Sequence, residues 1–366
     1  MEITVGKTEL IKALGFVGGV TSQKVGVIPI LSNLLIETNG KEEIKVIGTD
    51  LEVGVSTKVS AEVREEGSIT IPSKKLYEII RELPDCKIEI TVAKNNAVNI
   101  HGGKAFFKIM GIGKEDYPKL PDWDNKDALT LEQALLKECI SLTAFAISHD
   151  ETRYVLNGVL FSLQGDKLRL VATDGRRLAY IEKKIENKKD KEFNIIVPIK
   201  AVLELSKMLE WEGTIQIVPT QNQVIFDLGK TFLSSKLIEG KFPDYEQVIP
   251  KESTITTEAN REEFLQAIRR TALLTSPEAP AVKMDFVKGK ILVSSKSQNL
   301  GEAREEMAAE TKGGEVAIGF NPYYFMDVLK NLDTENISFF LTTPDKPGLL
   351  KGKEGYKYVI MPMQLN

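Results

Sequence analysis

The chain has 366 residues and carries 48 Lys and Arg against 52 Asp and Glu, which gives a formal net charge of −4. Its length exceeds that of a typical domain of ~150 residues and predicts two or three domains. With 42% hydrophobic and 27% charged residues, the composition is that of a folded globular protein and excludes a disordered chain. No apolar run predicts a membrane helix, and the first residues lack the pattern of a signal peptide, so we expect a cytoplasmic protein.

Cysteine and histidine are scarce, with two residues of each type. Cys86, Cys139, His101 and His149 do not have the spacing of a zinc site, and two cysteines in a chain of this length do not predict a disulfide framework. The sequence also lacks a complete nucleotide-binding or nucleophile motif. We therefore expect no metal, no cofactor and no catalytic residue.

An internal repeat with a period near 125 residues is the most informative feature of the sequence. In chain order, each copy opens with a predicted amphipathic helix, followed by short alternating runs typical of strands, a second helix and a last strand. The first predicted helices lie around Leu10, Leu136 and Phe264. The second predicted helices begin near Ile71, Val197 and Phe320, and the last strands align Phe107 with Phe232 and Tyr358.

Two helices and several antiparallel strands in each copy predict an α+β fold, in which the helices pack on one face of a sheet. Clusters of Pro, Asp and Lys separate the copies, and they predict three domains at residues 1–122, 128–247 and 254–366. Because the repeat covers the chain without a catalytic constellation, we expect the protein to contribute shape rather than chemistry.

The repeat alone leaves two segments unexplained. The run TDGRRL from Thr173 is typical of a strand that ends in an Asp-Gly turn, which gives its paired arginines no role. The closing residues VIMPMQLN are apolar at the end of the chain. Either a final core strand or a pliable groove that contains methionine accounts for them.

These segments resemble one known family along the whole chain. The motifs are LSNLLIE from Leu31, TDLE from Thr49, RYVLNGVLF from Arg153, VATDGRRLA from Val171, FPDYEQVIP from Phe242 and the closing VIMPMQL. They are similar to those of the bacterial β sliding clamps, the processivity subunits of DNA polymerase III. The resemblance implies a DNA-clamp fold of three repeated domains and a non-catalytic replication factor associated with the nucleoid. It also implies a ring of two chains, joined head to tail, that encircles double-stranded DNA without reading its sequence.

The resemblance further implies where the chain contacts DNA. Family positions that contact DNA match Lys24, Lys74, His149, Tyr154 and Lys200. Other basic residues on or beside the predicted helices would give the hole a weakly positive lining. They are Lys12, Lys75, Lys137, Lys207, Arg269 and Arg270.

A partner pocket between the second and third domains is also implied, where the replicative polymerase, the clamp loader and repair proteins insert a short hydrophobic peptide. The matching positions are Leu156, Thr173, Gly175, Arg176, Arg177, Leu178, Pro243, Val248, Val359, Met361, Pro362, Met363 and Leu365.

The pocket would give both unexplained segments a role. Gly175 lets a peptide approach the backbone, apolar side chains such as Leu178 and Met361 form a wall, and Arg176 with Arg177 addresses a peptide carboxylate or carbonyl. The chain departs from the family where Gln364 and the pair Glu246-Gln247 replace basic residues. The preference for the residues that flank the peptide is therefore open.

The subunit interface of the family matches Phe107 and Ile109 in the first domain and Leu273 and Leu274 in the third. Two adjacent leucines at the end of a helix cover two of its faces, which is typical of an edge that a second chain buries. The resemblance therefore implies a homodimer.

Two other functions remain open from the residues themselves. A monomeric scaffold could carry the same peptide groove without forming a ring, and its size in solution would distinguish it. A repeat-built enzyme could use Asp174, Arg176 and His149 around a cleft, and it predicts turnover or a tightly bound small ligand.

Overall fold

The computed structural model describes residues 1–21, 28–124, 128–187, 190–276, 278 and 280–365. The chain forms two compact units. Unit 1 comprises Met1–Lys137 and Lys200–Leu237, and unit 2 comprises Glu138–Ile199 and Ile238–Asn366. The second sequence copy therefore contributes to both units.

Six α-helices occur in the described ranges, two in each sequence copy, and they coincide with the six predicted helices. They are α1 (Lys7–Gly18), α2 (Ser73–Glu82), α3 (Gln133–Ser141), α4 (Ile199–Met208), α5 (Arg261–Ala272) and α6 (Pro322–Asn331). Each is short, and within the described residues none is long and apolar enough to cross a bilayer.

Each copy also contributes eight strands in the part of the chain that is described. The first copy has β1 (Glu2–Gly6), β2 (Asn33–Thr38), β3 (Glu43–Thr49), β4 (Val53–Glu65), β5 (Ser68–Pro72), β6 (Lys87–Val92), β7 (Ala97–Gly102) and β8 (Ala105–Met110). The second copy has β9 (Leu129–Glu132), β10 (Gly158–Gln164), β11 (Lys167–Thr173), β12 (Arg177–Lys184), β13 (Phe193–Pro198), β14 (Thr214–Pro219), β15 (Gln223–Asp227) and β16 (Thr231–Lys236). The third copy has β17 (Ile255–Asn260), β18 (Val282–Val287), β19 (Lys290–Ser297), β20 (Gly301–Lys312), β21 (Val316–Phe320), β22 (Asn336–Leu341), β23 (Gly348–Lys351) and β24 (Tyr356–Ile360).

The strands form two antiparallel sheets of 12 strands, one in each unit. In unit 1 the order is β8-β7-β6-β1-β4-β16-β15-β14-β9, with β2, β3 and β5 joined to this path. In unit 2 the order is β13-β10-β11-β12-β24-β23-β22-β17-β20-β19-β18-β21. Apolar residues of the helices, such as Leu10, Leu76 and Phe264, are fully buried. The predicted α+β class is confirmed.

The pairing registers determine how the three copies correspond. The equivalent pairs in the last hairpin of each copy are Ile100–Phe107, Phe226–Leu233 and Leu350–Tyr358. Leu233, rather than Phe232, is therefore the counterpart of Phe107, and the sequence alignment was wrong by one residue in the second copy. Successive strand residues point to opposite faces. Leu233 accordingly lies in the core, whereas the ring of Phe232 packs on Trp123 with the centroids 4.2 Å apart.

The last strand of one copy pairs with the long strand of the copy before it. The first half of β4 pairs with β16, and the first half of β12 pairs with β24. In β20, residues 301–308 pair with β19, and β17 pairs only with residues 309–312. The strand β8 pairs with β7 at the end of its sheet. Among the described strands, two edges of this kind, on β8 and on the first half of β20, therefore have no partner strand.

Two buried hydroxyls join the first and second copies inside unit 1. Oγ1 of Thr57 on β4 lies 2.6 Å from Oγ1 of Thr231 on β16. We predict that Thr57→Val destabilises unit 1 by about 1–2 kcal/mol, because it leaves the Thr231 hydroxyl without this partner. Guanidinium denaturation measures the loss. The double variant Thr57→Val with Thr231→Val should recover most of it, and a double variant less stable than the single one would contradict the prediction.

Candidate functional site

An apolar cavity of about 160 Å³ opens on unit 2 where β12 begins and β24 ends. Leu178 on β12 pairs with Val359 on β24, and together they form the floor. The complete lining is Leu156, Thr173, Gly175, Arg176, Arg177, Leu178, Pro243, Asp244, Tyr245, Val248, Val359 and Met361.

The floor of this cavity belongs to the hydrophobic core of unit 2. Leu156, Leu178 and Val359 are buried in one cluster with Phe242, and Tyr245 packs against that cluster. A floor made of core residues is rigid, because neighbouring side chains fix its rotamers. Met361 is 41% exposed at the edge and keeps the conformational freedom of a methionine.

The turn between β11 and β12 forms one end of the cavity. The carboxylate of Asp174 accepts hydrogen bonds from the backbone N–H groups of Arg176 and Arg177, at 2.9 and 3.0 Å. The hydroxyl of Thr173 donates to the carbonyl of Arg177 at 2.6 Å. Gly175 has φ +85°, a value that L-residues rarely adopt. The turn therefore uses an aspartate to accept the two N–H groups and a glycine to adopt the positive φ.

The side chain of Arg177 is committed to groups of unit 2. Its guanidinium donates to the carboxylates of Asp174 and Asp327 and to the carbonyl of Phe145, at 3.1, 2.6 and 2.7 Å. It also lies over the ring of Tyr324, 4.5 Å from the centroid. Burial opposes the charged form, but Tyr358, Asp327 and Asp174 outweigh this effect and raise the pKa of Arg177.

The two adjacent arginines therefore have different surroundings. The guanidinium of Arg177 donates inside the unit through Nε, Nη1 and Nη2, and its side chain is only 10% exposed. Arg176 is exposed beside the cavity.

Ten of the thirteen predicted pocket residues line the cavity, and three do not. Pro362, Met363 and Leu365 lie beyond it. The N–H of Met363 donates to the carbonyl of Gly319 at 2.8 Å, and a Cβ on Gly319 would lie 2.7 Å from Leu365. Both predicted alternatives therefore apply to the last described residues. β24 is a core strand, and Met361 after it borders the cavity.

Three residues at this site were not singled out from the sequence. Asp244 and Tyr245 line the cavity, and their signal in the sequence is the motif FPDYEQVIP from Phe242. Arg153 lies at the rim, where its Nη1 would be 2.7 Å from a Cβ on Gly175. Its signal is the motif RYVLNGVLF.

The first sequence copy builds the same turn within unit 1. There Asp50 accepts from the N–H groups of Glu52 and Val53, and the Thr49 hydroxyl donates to the carbonyl of Val53 at 3.0 Å. Leu51 has φ +77° at the position of Gly175. The scaffold of the two turns is therefore shared.

The surroundings of the two turns differ. Gly54 is the counterpart of Leu178, and a Cβ on Gly54 would lie 2.3 Å from Cδ2 of Leu120. Glu52 and Lys236, the counterparts of Arg176 and Met361, form an ion pair at 2.9 Å. In unit 1 the side chain of Leu120 therefore occupies the position that the side chain of Leu178 occupies in unit 2.

The predicted DNA-contacting residues lie at separate positions and do not share a contact among the described residues. Lys74 on α2 and His149 are exposed, and Tyr154 is 59% exposed. Lys200 on α4 has its ammonium 2.6 Å from the carboxylate of Asp50. Lys24 lies outside the described residues.

Most of the other predicted lining cations have partners. Lys12, Lys75, Lys207 and Arg270 form ion pairs with Glu210, Glu78, Glu204 and Glu305 respectively. The ammonium of Lys137 donates to the carbonyl of Leu209. Arg269, the remaining member of this set, makes no side-chain ion pair or hydrogen bond to another described residue. The same is true of Lys74. Surface ion pairs are weak, so the paired lysines can still exchange partners.

The predicted interface residues lie at open positions. Phe107 and Ile109 are on the edge strand β8, which also exposes Phe106 and Met110 at 55% and 58%. Leu273 follows α5 and is 76% exposed, whereas Leu274 is half-buried.

The enzyme alternative gains no support from the geometry. The Asp174 carboxylate is occupied by three N–H donors of its own turn, and His149 is exposed. Among the described residues, no cluster of His, Cys, Asp and Glu could hold a metal ion.

Comparison with known proteins covers the whole chain. The family models of the DNA polymerase III beta subunit match in sequence, the N-terminal domain at residues 1–121, the central domain at 130–244 and the C-terminal domain at 246–364. The beta sliding clamp of Chlamydia muridarum is 34% identical over 366 residues, which is 100% of both chains. That of Pseudomonas putida is 33% identical over 370 residues, with both chains covered fully.

Solved structures agree with these matches. The sliding clamp of Bacillus subtilis superposes with a TM-score of 0.93 at 30% identity, over 100% of both chains. The clamp of Pseudomonas aeruginosa bound to griselimycin gives 0.93 at 33% identity, again over both full chains. The chain thus has the three-domain sliding clamp fold and belongs to the DNA polymerase III beta subunit family.

Proposed function

We propose that this protein is a DNA sliding clamp that gives a replicative polymerase processivity, with the cavity of unit 2 as its docking site for partner peptides. The family is non-catalytic, so the protein acts by tethering. The cavity carries the proposal, because it combines a rigid apolar floor with a flexible methionine and an exposed arginine at its edge. A related clamp bound to griselimycin shows that a family member takes a ligand.

The docking site would take a short peptide with large apolar residues, supplied by the polymerase, the clamp loader or repair proteins. Leu178 and Val359 would contact the apolar side chains, and Arg176 would address a carbonyl or carboxylate. The predicted pocket residues Pro362, Met363 and Leu365 would contact the part of the peptide that extends past Met361.

We expect Met361→Ala to weaken the binding of griselimycin and of an apolar peptide about tenfold, because Met361 forms the movable edge of the cavity. Fluorescence polarisation with a labelled peptide measures this effect. Leu203→Ala is the matched control, since Leu203 is similarly exposed on α4 of unit 1. Equal affinity of the two variants would exclude the cavity as the docking site.

We further propose that two copies of the chain close a ring, with three domains each at the predicted boundaries. The repeat itself suggests how the two chains join. β16 pairs with β4 and β24 pairs with β12, whereas β8 and the first half of β20 lack the equivalent partner among the described strands. The β8 strand of one chain would therefore pair with β20 of the other chain. The register of β4 with β16 then places Phe107 opposite Ala303 and Lys108 opposite Glu302.

The exposed leucine after α5 fits the same arrangement. Leu273 corresponds to Gly19 in the first copy, and Gly19 lies against Glu204 on α4. In a dimer, α2 of the other chain would cover Leu273 in the same way. A double variant Leu273→Ala with Leu274→Ala is accordingly expected to be a monomer at submicromolar concentration.

A charge exchange tests the register. Lys108→Glu places two carboxylates opposite each other and should raise the dimer dissociation constant at least tenfold, because like charges directly opposite across a ladder repel. Glu302→Lys should act similarly. The combination of both changes should restore the dimer in sedimentation velocity experiments, and failure of this rescue would contradict the register.

Duplex DNA would pass through the ring, near Lys24, Lys74, His149, Tyr154 and Lys200, by phosphate contacts that carry no sequence information. The protein is expected to stay on a nicked circular duplex after loading and to leave it when the circle is cut. Gel filtration of the complex measures both states. Equal retention on circular and linear DNA would indicate an ordinary binding protein instead of a clamp.

A further inference from the structure

Behind the turn that forms one end of the peptide pocket lies a buried charge. Leu178 and Arg177 both border the pocket, but adjacent strand residues point to opposite faces, and the guanidinium of Arg177 lies on the other face of β12, against Phe145 and Tyr324. There it meets Asp327 on α6, with Nη1 2.6 Å from Oδ2. The two residues are 150 positions apart in the sequence.

The Arg177 guanidinium connects this helix to the pocket. It bonds Asp327 and Phe145 on one side and the Asp174 carboxylate on the other. The same Asp174 carboxylate holds the N–H groups of Arg176 and Arg177. A buried guanidinium needs its partners, and loss of one partner leaves an uncompensated charge that shifts the others. The Arg177 guanidinium thus links the turn to α6.

Unit 1 supports this link by contrast. It has an acid at both places, Asp50 on the turn of the first copy and Glu204 on α4 of the second copy, but it has Val53 where unit 2 has Arg177. In unit 1 a helix lysine, Lys200, binds the turn acid instead. An arginine that reaches from the strand to the helix therefore occurs in the unit where the pocket is open.

We propose that Asp327 is a positioning residue for the peptide pocket: through Arg177 it holds the turn 173–177 against the cavity. Asp327 does not touch the peptide, and it acts on the position of Gly175 and Arg176. This inference rests on the proposed function of the cavity as a peptide site.

The test compares two ion pairs on β12 of unit 2. Asp327→Asn removes the partner of Arg177 at the start of the strand. Glu138→Gln is the matched control, because Glu138 pairs with Lys183 near the end of the same strand, at 3.3 Å, and with Lys353 at 2.6 Å. Both variants are expected to lower the thermal midpoint. Only Asp327→Asn should weaken binding of the labelled apolar peptide, about tenfold, and Asp327→Glu should restore affinity to within about threefold of the unchanged protein.

A second measurement does not need the peptide. Hydrogen exchange of the amides of Arg176 and Arg177 should become faster in Asp327→Asn and stay unchanged in Glu138→Gln, because these amides are held by Asp174. If Asp327→Asn does not fold, Arg177→Lys replaces it, since a lysine cannot bridge two carboxylates and a carbonyl in the same geometry.

The outcomes separate the two proposals. Unchanged peptide affinity and unchanged exchange in Asp327→Asn would overturn the positioning role, and so would an equal loss of affinity in Glu138→Gln. If the unchanged protein binds no apolar peptide, the docking proposal fails. Faster exchange at Arg176 and Arg177 in Asp327→Asn alone would in that case still support the role of Asp327 in holding the turn.

Discussion

The structure depends on one strand pairing that recurs between sequence copies. The last strand of a copy pairs with the first half of the long strand in the copy before it, as β16 does with β4 and β24 does with β12. This pairing makes each unit a continuous sheet of 12 strands, although each unit draws on more than one copy. It also brings the end of the chain beside the start of β12, where Leu178 and Val359 form the floor of the cavity. The site exists because two segments distant in sequence share a ladder.

Equivalent positions around the two turns carry different residues, and these residues determine whether a cavity lies beside the turn. Both turns use a threonine hydroxyl and an aspartate carboxylate in the same way. In the first copy Leu120 fills the space beside Gly54. In the second copy Leu178 stands at that position and leaves a cavity in front of Tyr245 and Met361. A repeated fold has thus kept its scaffold while a few side chains distinguish a closed surface from an open pocket.

Much of the fold could be predicted from periodicity, since apolar residues at helical or alternating spacing report which face is buried. The six helices and the antiparallel class follow from that pattern. The register of the last hairpins did not, because a shift of one residue between Phe232 and Leu233 leaves the local pattern of apolar residues nearly unchanged. Ten pocket residues came from the family resemblance, and the structure adds Asp244, Tyr245 and Arg153. The commitment of Arg177 to Asp327 was invisible, because nothing local marks a contact across 150 positions.

The sequence by itself determined the threefold repeat, the α+β class, the turn at Asp174 and Gly175, and the likeness to the sliding clamp family. These properties depend on local spacing and on motifs that a linear reading preserves. Only the tertiary structure decided that Arg177 binds Asp327 while Arg176 stays exposed, which residues at the end of the chain line the cavity, and that Lys200 pairs with Asp50. Those outcomes depend on which faces of distant strands and helices meet, and a charged side chain takes the partner that burial places within reach.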